Sequence, residues 1–294
     1  RSAYYAVNQT VDMAQFFLGN ETATGDLLSL GDASFVESDG AAITMTIVET
    51  DRISAVEQSA TPGGDGSSLI VDVLANAVFD LATNPSVASL NLVVTESPDI
   101  IPPFITGASL NYDVGMITFT TSERIDVTPS NGIDMSKFFI ANTNGGNTIA
   151  LNAAQLQTAN DATTISIKIS EASRALAIAI SAMPGGDGVT AFLDVSAAFM
   201  HDIGLVNNLL QNGIVLSETP DITPPNFVSG SISYDDSISS GGRRIILTLS
   251  ETIDLTPISL VNISCFMLSE NGVDDIVILD GATATGIDGL TLTI

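Results

Sequence analysis

Carboxylates are the residues of this sequence whose types and spacing could do chemistry. Aspartate recurs at equivalent places of a sequence repeat, and carboxylate oxygens are ligands that Ca²⁺ takes in proteins. The candidate ligands of such a calcium cofactor are Asp99, Asp187, Asp202 and Asp221, which lie in two proline-rich segments, a glycine-rich turn and a later loop. A second interpretation needs no metal, because turns favour aspartate and glycine for their backbone conformations.

Side chains for catalysis are scarce. The sequence has one histidine, His201, and one cysteine, Cys265, and the two lie in different copies of the repeat. Phe79 occupies the position of His201 in the preceding copy, so this position accepts an apolar ring. The nucleophile elbow and the phosphate-binding loop motifs are absent. We therefore expect no enzymatic activity and a structural or exposed His201. Cys265 is expected to be a small buried or half-buried residue, with a bridge between chains as the alternative.

The elements that would position these residues are organised by a proline-rich segment that occurs twice. It covers Thr95–Pro103 and again Ser217–Pro225, at an offset of 122 residues. Proline removes a backbone donor and fixes φ, so neither a helix nor a central strand is expected to run through the segment. We interpret both copies as stiff, extended linkers between similar domains.

The repeat defines three copies. The offset of 122 aligns residues 11–100 with 133–222 without a gap, and a third copy follows at an offset of 128. The predicted domains are repeat 1 at 1–100, repeat 2 at 101–222 and repeat 3 at 223–294. In this alignment repeat 1 lacks its opening strands and repeat 3 its later half. Either the sequence is a window on a longer array, or neighbouring subunits complete each other by adding strands.

Hydrophobicity alternates with a period of two inside the repeats, which predicts strands with one buried face. Ile117 and Phe119 show the pattern, as do Ile165 and Ile167. One segment differs, because Glu171–Ala179 is rich in helix-forming residues and predicts a short helical crossover. The fold class that follows is all-β, with an antiparallel β-sandwich in each repeat.

Two motifs carry a resemblance to a known class of proteins. They are Asp221-Ile222-Thr223-Pro224-Pro225 at the start of a repeat and the segment from Ala198 to Gly204 late in it. With them, the chain resembles tandem Ig-like repeats of secreted surface proteins, adhesins and extracellular filaments. The resemblance implies an Ig-like sandwich in each repeat and a location outside the cell or on its surface. Repeat 1 departs from the pattern, because its late segment has no glycine after Asp80.

Composition limits the partners. The formal charge is -26, which disfavours binding to nucleic acid and to anionic membrane surfaces. Divalent cations or basic proteins are the partners that this charge favours, and the alternative is that the acidic surface only keeps the protein soluble. No apolar run is long enough to insert into a membrane. Glycans are candidate partners as well, because three Asn-x-Ser/Thr sequons make Asn8, Asn20 and Asn262 candidate glycosylation sites.

The repeats, the stiff linkers and the scarcity of catalytic side chains predict a structural role. We expect a subunit of an extracellular filament or surface array, a homopolymer whose partners are copies of itself, with strand complementation between subunits as one means of assembly. The alternative is an adhesin stalk, stiffened by calcium, that spaces a binding head elsewhere in a longer chain.

Overall fold

The computed structural model describes residues 11–20, 27–36, 40–60, 67–128, 132–182, 188–235, 243–270, 274–279 and 281–294. The candidate ligand Asp187 and the candidate glycosylation site Asn8 lie outside these ranges. The described chain is mostly β-strand with two short helices, so the predicted all-β class is confirmed. Within the described residues, no helix has the length and apolar character of a membrane span.

The described residues of repeat 1 form two small sheets and one α-helix. Its elements are β1 Phe16–Gly19, β2 Leu28–Ser29, β3 Ser34–Phe35, β4 Met45–Thr46, α1 Glu49–Gln58, β5 Ile70–Val73 and β6 Ser89–Val93. One sheet has the order β2-β1-β5-β6, with antiparallel neighbours, and β3 pairs with β4.

In repeat 2 the described residues form one continuous sheet of eight strands. Its elements are β7 Ile105–Asn111, β8 Met116–Ile125, β9 Phe138–Ala141, β10 Ile149–Ala150, β11 Gln155–Leu156, β12 Ala162–Lys168, α2 Glu171–Ile180, β13 Phe192–Val195 and β14 Gln211–Thr219. The strand order is β10-β9-β13-β14-β7-β8-β12-β11. Neighbouring strands are antiparallel except β14 and β7, which are parallel and join the two halves of the sheet.

The described part of repeat 3 repeats the beginning of this arrangement. Its strands are β15 Phe227–Ser233, β16 Arg244–Ile253, β17 Met267–Glu270, β18 Asp274–Ile278 and β19 Gly289–Thr293. The sheet order is β15-β16-β19, and β17 pairs with β18. β15 and β16 correspond to β7 and β8 of repeat 2, and β19 corresponds to β12.

The core of repeat 2 lies between the two halves of its sheet. Ile117, Phe119, Ile165 and Ile167 are buried, so the period-two prediction is confirmed at these positions. Three aromatic rings meet at the centre of this core. The rings of Phe138 and Phe199 stack with centroids 4.8 Å apart, and Phe119 lies 6.1 and 6.0 Å from them. Burying such side chains supplies most of the free energy that stabilises a domain of this kind.

The predicted crossover is a helix, α2, and repeat 1 carries its counterpart α1. Ser170 caps the first turn of α2, because its Oγ accepts a hydrogen bond from the N–H of Ser173 at 3.2 Å. Both helices end at a serine, Ser59 after α1 and Ser181 after α2, where the backbone returns to extended conformation. The helix therefore recurs at the same place in the repeat, immediately before the glycine-rich turn.

The proline-rich linkers interrupt the strands as predicted, although one strand enters the second linker. β14 is a central strand and includes Ser217, Glu218 and Thr219, the first three residues of the second linker segment. The expectation that no central strand runs through the segment is confirmed, although β14 enters its first three residues. The strand ends before Pro220, whose missing N–H cannot continue the ladder.

Candidate functional site

Each linker passes beside an arginine of the preceding helix. In the first junction, Arg52 of α1 binds Glu49 one turn earlier through two hydrogen bonds of 2.7 and 2.9 Å. Its Nη1 donates to Asp99 Oδ2 of the linker at 2.6 Å, and its Nη2 donates to Glu123 Oε2 of β8 at 3.1 Å. One guanidinium therefore joins the helix of repeat 1, the linker and a strand of repeat 2.

The second junction has the same arrangement. Arg174 of α2 binds Glu171 through two hydrogen bonds of 2.7 and 2.8 Å. Its Nη1 donates to Asp221 of the second linker, and its Nη2 donates to Glu251 Oε2 of β16 at 2.9 Å. The side chain of Arg174 is only 7% exposed, against 26% for Arg52.

At each junction, an arginine, a glutamate of the same helix, an aspartate of the linker and a glutamate of the next repeat form one cluster. These four residues occupy equivalent positions in the sequence repeat. The offset is 122 for the arginine, the helix glutamate and the linker aspartate, and 128 for the strand glutamate of the next repeat. A backbone contact recurs too, because the N–H of Arg124 points at Glu49 Oε1 at 3.5 Å and that of Thr252 donates to Glu171 Oε1 at 2.7 Å. We call each set the arginine clamp of its junction.

A second contact holds the linker against the end of the same helix. Ser59 donates from its Oγ to Glu96 of the first linker, and Ser181 donates to Glu218 of the second. Tyr112 of repeat 2 also donates to Glu218. The linker is therefore anchored at two points three residues apart, once by serine and once by arginine.

Electrostatics in the clamps follow from burial and pairing. The hydrogen bonds from Arg52 lower the pKa of Glu49, although burial acts against them. Burial raises the pKa of Glu171, but the hydrogen bonds from Arg174 and the N–H of Thr252 outweigh it, so its pKa lies below the usual value. Both arginines stay charged, because their carboxylate partners raise the pKa of each guanidinium.

A third acid lies beside Asp99 and Glu123 at the first junction. Asp202, in the loop that follows β13, brings a carboxylate oxygen within 4.8 Å of carboxylate oxygens of Asp99 and Glu123. The loop is held against the end of β8 by an isolated bridge between Ile125 and Asp202. Burial raises the pKa of Glu123 to about 7, and the charges of Asp202 and Asp99 act in the same direction.

Asp202 is fully buried, and its two oxygens differ. Oδ1 accepts a hydrogen bond from the N–H of Val206 at 2.9 Å. Oδ2 has no hydrogen-bond partner in the described part of the chain. Burial raises the pKa of this carboxyl group, with the hydrogen bond from Val206 acting against it.

Gly204 allows the linker and the Asp202 loop to approach each other. A Cβ at this position would lie 3.0 Å from the Cβ of Asp99 and 3.2 Å from Asp202 Oδ1. The glycine of the late motif is therefore a close-approach residue. Repeat 1 has Ala82 at the equivalent position, which would not allow the same approach.

The predicted ligands are thus distributed over two places. Asp99 and Asp202 meet at the first junction, whereas Asp221 belongs to the clamp of the second junction. Sequence reasoning missed Glu123 and both arginines. The signal was present, because Arg52 and Arg174 align in a chain with only eight lysine and arginine residues.

The residues considered for catalysis are not brought together. His201 is half-buried, with its Nδ1 3.8 Å from Asp126 Oδ2 and 3.2 Å from the carbonyl oxygen of Asp202. Cys265 lies in repeat 3 and is exposed, so the expectation of a buried or half-buried cysteine is wrong. It ends the short 3-10 turn Ile263–Cys265, at the position that Lys137 occupies in repeat 2.

Two of the three candidate glycosylation sites fall on described residues. Asn262 is exposed, and its Oδ1 accepts a hydrogen bond from Ser264 Oγ of the same sequon at 2.7 Å. Asn20 is half-buried, and the threonine of its sequon lies outside the described ranges. Asn262 is therefore the site whose side chain is best placed for modification.

Comparison of the chain with protein-family models, curated proteins and solved structures found no match. The functional interpretation therefore comes from the junctions themselves. The arginine clamps hold consecutive repeats together through charged groups that face the linker from both sides.

Proposed function

We propose that this chain is a structural part of an extracellular filament or surface array, in which Ig-like sandwich repeats are held at fixed angles by the arginine clamps. The observation that carries the proposal is the recurrence of the clamp at both junctions, with equivalent residues and contacts. A contact that recurs at each junction is expected of residues that set the geometry of an array. A catalytic site, in contrast, has no need to recur with every repeat.

The strand order of repeat 2 supports an Ig-like sandwich in each repeat. From β7, the order β7-β8-β12-β11 matches the A-B-E-D sheet of Ig domains, and β9-β13-β14 matches the C-F-G sheet. The helix α2 then occupies the connection between strands E and F. Recurrence of the same elements in repeats 1 and 3 supports a tandem array.

The arginine clamp restricts the orientation of the next repeat, which the prolines of the linker do not fix. Proline fixes φ within the linker, but the direction of the next repeat still depends on the torsion angles at its two ends. Arg174 fixes that direction, because it holds Asp221 in the linker and Glu251 in the next repeat at the same time. Its near-complete burial makes loss of either contact costly.

Spin-label distances test the fixed geometry. The exposed Cys265 of repeat 3 carries one nitroxide, and Ala159→Cys, an exposed position of repeat 2, carries the second. Pulsed electron paramagnetic resonance should give a narrow distance distribution in the parent chain and a broader one in Arg174→Ala. Lys137→Ala is the matched control, since the contacts of Lys137 stay within repeat 2. A broad distribution in the parent chain would overturn the proposal.

A filament subunit and a stalk would use the same clamped repeats, and self-association separates them. Analytical ultracentrifugation of the 294-residue chain over a wide concentration range should detect ordered oligomers if copies of the chain are its partners. Monomers at every concentration, together with a much longer native polypeptide, would favour the stalk.

A further inference from the structure

We propose that the first junction binds a hard divalent cation, with Ca²⁺ preferred, between the carboxylates of Asp99, Glu123 and Asp202. The site joins the linker to two separate segments of repeat 2, the end of β8 and the loop after β13. This inference does not depend on the proposed structural role, because cation binding is measured on the isolated chain.

The spacing of the three carboxylates fits a shared cation. Ca²⁺ holds its oxygen ligands at about 2.3–2.6 Å, so two ligands of one ion lie at most about 5 Å apart. The three oxygens lie within 4.8 Å of one another. Ca²⁺ also accepts irregular coordination that water and carbonyl oxygens complete, whereas Mg²⁺ demands near-octahedral geometry.

The buried oxygen of Asp202 is the second, independent observation. Asp202 has no exposed surface, and its Oδ2 has no hydrogen-bond partner among the described residues. An ionised oxygen in such a position loses its hydration without compensation, which is unfavourable. A cation bound to it would supply that compensation directly.

The negative charge at the first junction also favours a bound cation. Asp99, Glu123 and Asp202 carry three carboxylates, and Arg52 makes ion pairs with only the first two.

Isothermal titration calorimetry of the intact chain with CaCl₂ tests the site. We expect binding in the range of extracellular calcium modules, with Kd of about 0.1–1 mM. Asp202→Asn keeps Oδ1 for the hydrogen bond from Val206 and removes the charge, so affinity should fall at least about tenfold, as loss of metal-site contacts does. Mg²⁺ should bind more weakly than Ca²⁺.

Asp221→Asn is the matched control, because it removes the equivalent linker carboxylate at the second junction, which is not one of the three proposed ligands. It should leave Ca²⁺ affinity unchanged, and circular dichroism should show native folding in both variants. Equal affinity in the parent chain and Asp202→Asn would overturn the inference. Equal loss in Asp202→Asn and Asp221→Asn would overturn it too, since it would indicate diffuse binding to the acidic surface.

Discussion

Arg174 in α2 of repeat 2 donates from its Nη2 to Glu251 Oε2 in β16 of repeat 3, at 2.9 Å. The two residues are far apart in the sequence and lie on opposite sides of the second linker. The contact therefore exists only when the two repeats hold one particular orientation, and its loss should be visible in both stability and geometry.

Arg174→Ala should destabilise the chain more than Arg52→Ala. The side chain of Arg174 is 7% exposed and that of Arg52 is 26% exposed, so water screens the ion pairs of Arg174 less than those of Arg52. Breaking a buried pair costs about 3–5 kcal/mol, whereas an exposed one contributes about 0–1 kcal/mol. Urea unfolding of both variants measures the difference, and equal effects would contradict this ranking.

Gly204→Ala should weaken the first junction. The new Cβ would lie 3.0 Å from the Cβ of Asp99, so either the linker or the Asp202 loop must move. Such overpacking costs about 1–3 kcal/mol. Gly107→Ala is the control, because its Cβ would meet Thr120 Oγ1 at an ordinary 3.5 Å. Thermal unfolding of the two variants should separate them; similar melting temperatures would argue against a close approach at Gly204.

Asp194→Asn should destabilise repeat 2. The carboxylate of Asp194 is fully buried and accepts hydrogen bonds from the N–H groups of Gly145, Asn147 and Gly213, at 3.2, 3.3 and 2.7 Å. The NH₂ group of an asparagine would face some of these backbone N–H groups in place of a carboxylate oxygen and leave them without an acceptor, at a cost of about 1–3 kcal/mol. Amide hydrogen exchange at Gly213 should accelerate with the loss in unfolding free energy.

Asp134→Asn provides the comparison for that prediction. Asp134 is exposed and caps a 3-10 turn through the N–H of Ser136, a role that asparagine fills equally well. Its ion pair with Lys137 is on the surface, so we expect a change within about 0.5 kcal/mol. If both aspartates were equally sensitive, burial would not be the cause.

Glu171 should make the second junction sensitive to acid. Its folded-state pKa lies below the usual value despite the effect of burial, because Arg174 and the N–H of Thr252 bind the carboxylate. A lowered pKa stabilises the folded state above the unfolded pKa, and this contribution is lost as pH falls through the folded pKa. Glu171→Gln should therefore be less stable than the parent chain at neutral pH, and the difference should disappear in strong acid.

The parent chain must be compared with Glu171→Gln, because the pKa of Glu251 is shifted in the opposite direction to that of Glu171. Burial raises the pKa of Glu251, with Asp221 nearby acting in the same direction. The difference between parent and variant, measured as urea midpoints across the acid range, isolates Glu171 from that contribution. A difference that does not change with pH would show that Glu171 acts through packing alone.

Local patterns in the sequence predicted the secondary structure well. The alternation at Ile165 and Ile167 identified a strand with one buried face, and the composition of Glu171–Ala179 identified α2. Both signals are local, because periodicity and helix propensity depend on residues within a few positions. The prediction did not include the entry of β14 into the second linker. Thr219 precedes the first proline of that linker, so its backbone can still continue the ladder.

The junctions could not be predicted in the same way. Arg52 contacts Glu123 across 71 residues, a pairing that depends on the orientation of two repeats. Equivalent positions in the repeat do carry information about burial, however. Cys265 aligns with the polar residues Gln15 and Lys137, which are both half-buried, so the alignment argues against full burial where the cysteine alone does not.

The parallel pairing of β14 with β7 has a mechanical consequence. β7 begins just after the first linker, and β14 ends at Thr219, before the first proline of the second linker. Four residue pairs, from Ala108–Leu216 to Asn111–Thr219, join the two strands. Tension applied along the chain therefore pulls the two strands past each other in shear. Their hydrogen bonds must then yield together, so repeat 2 should resist stretching far better than a hairpin that opens one bond at a time.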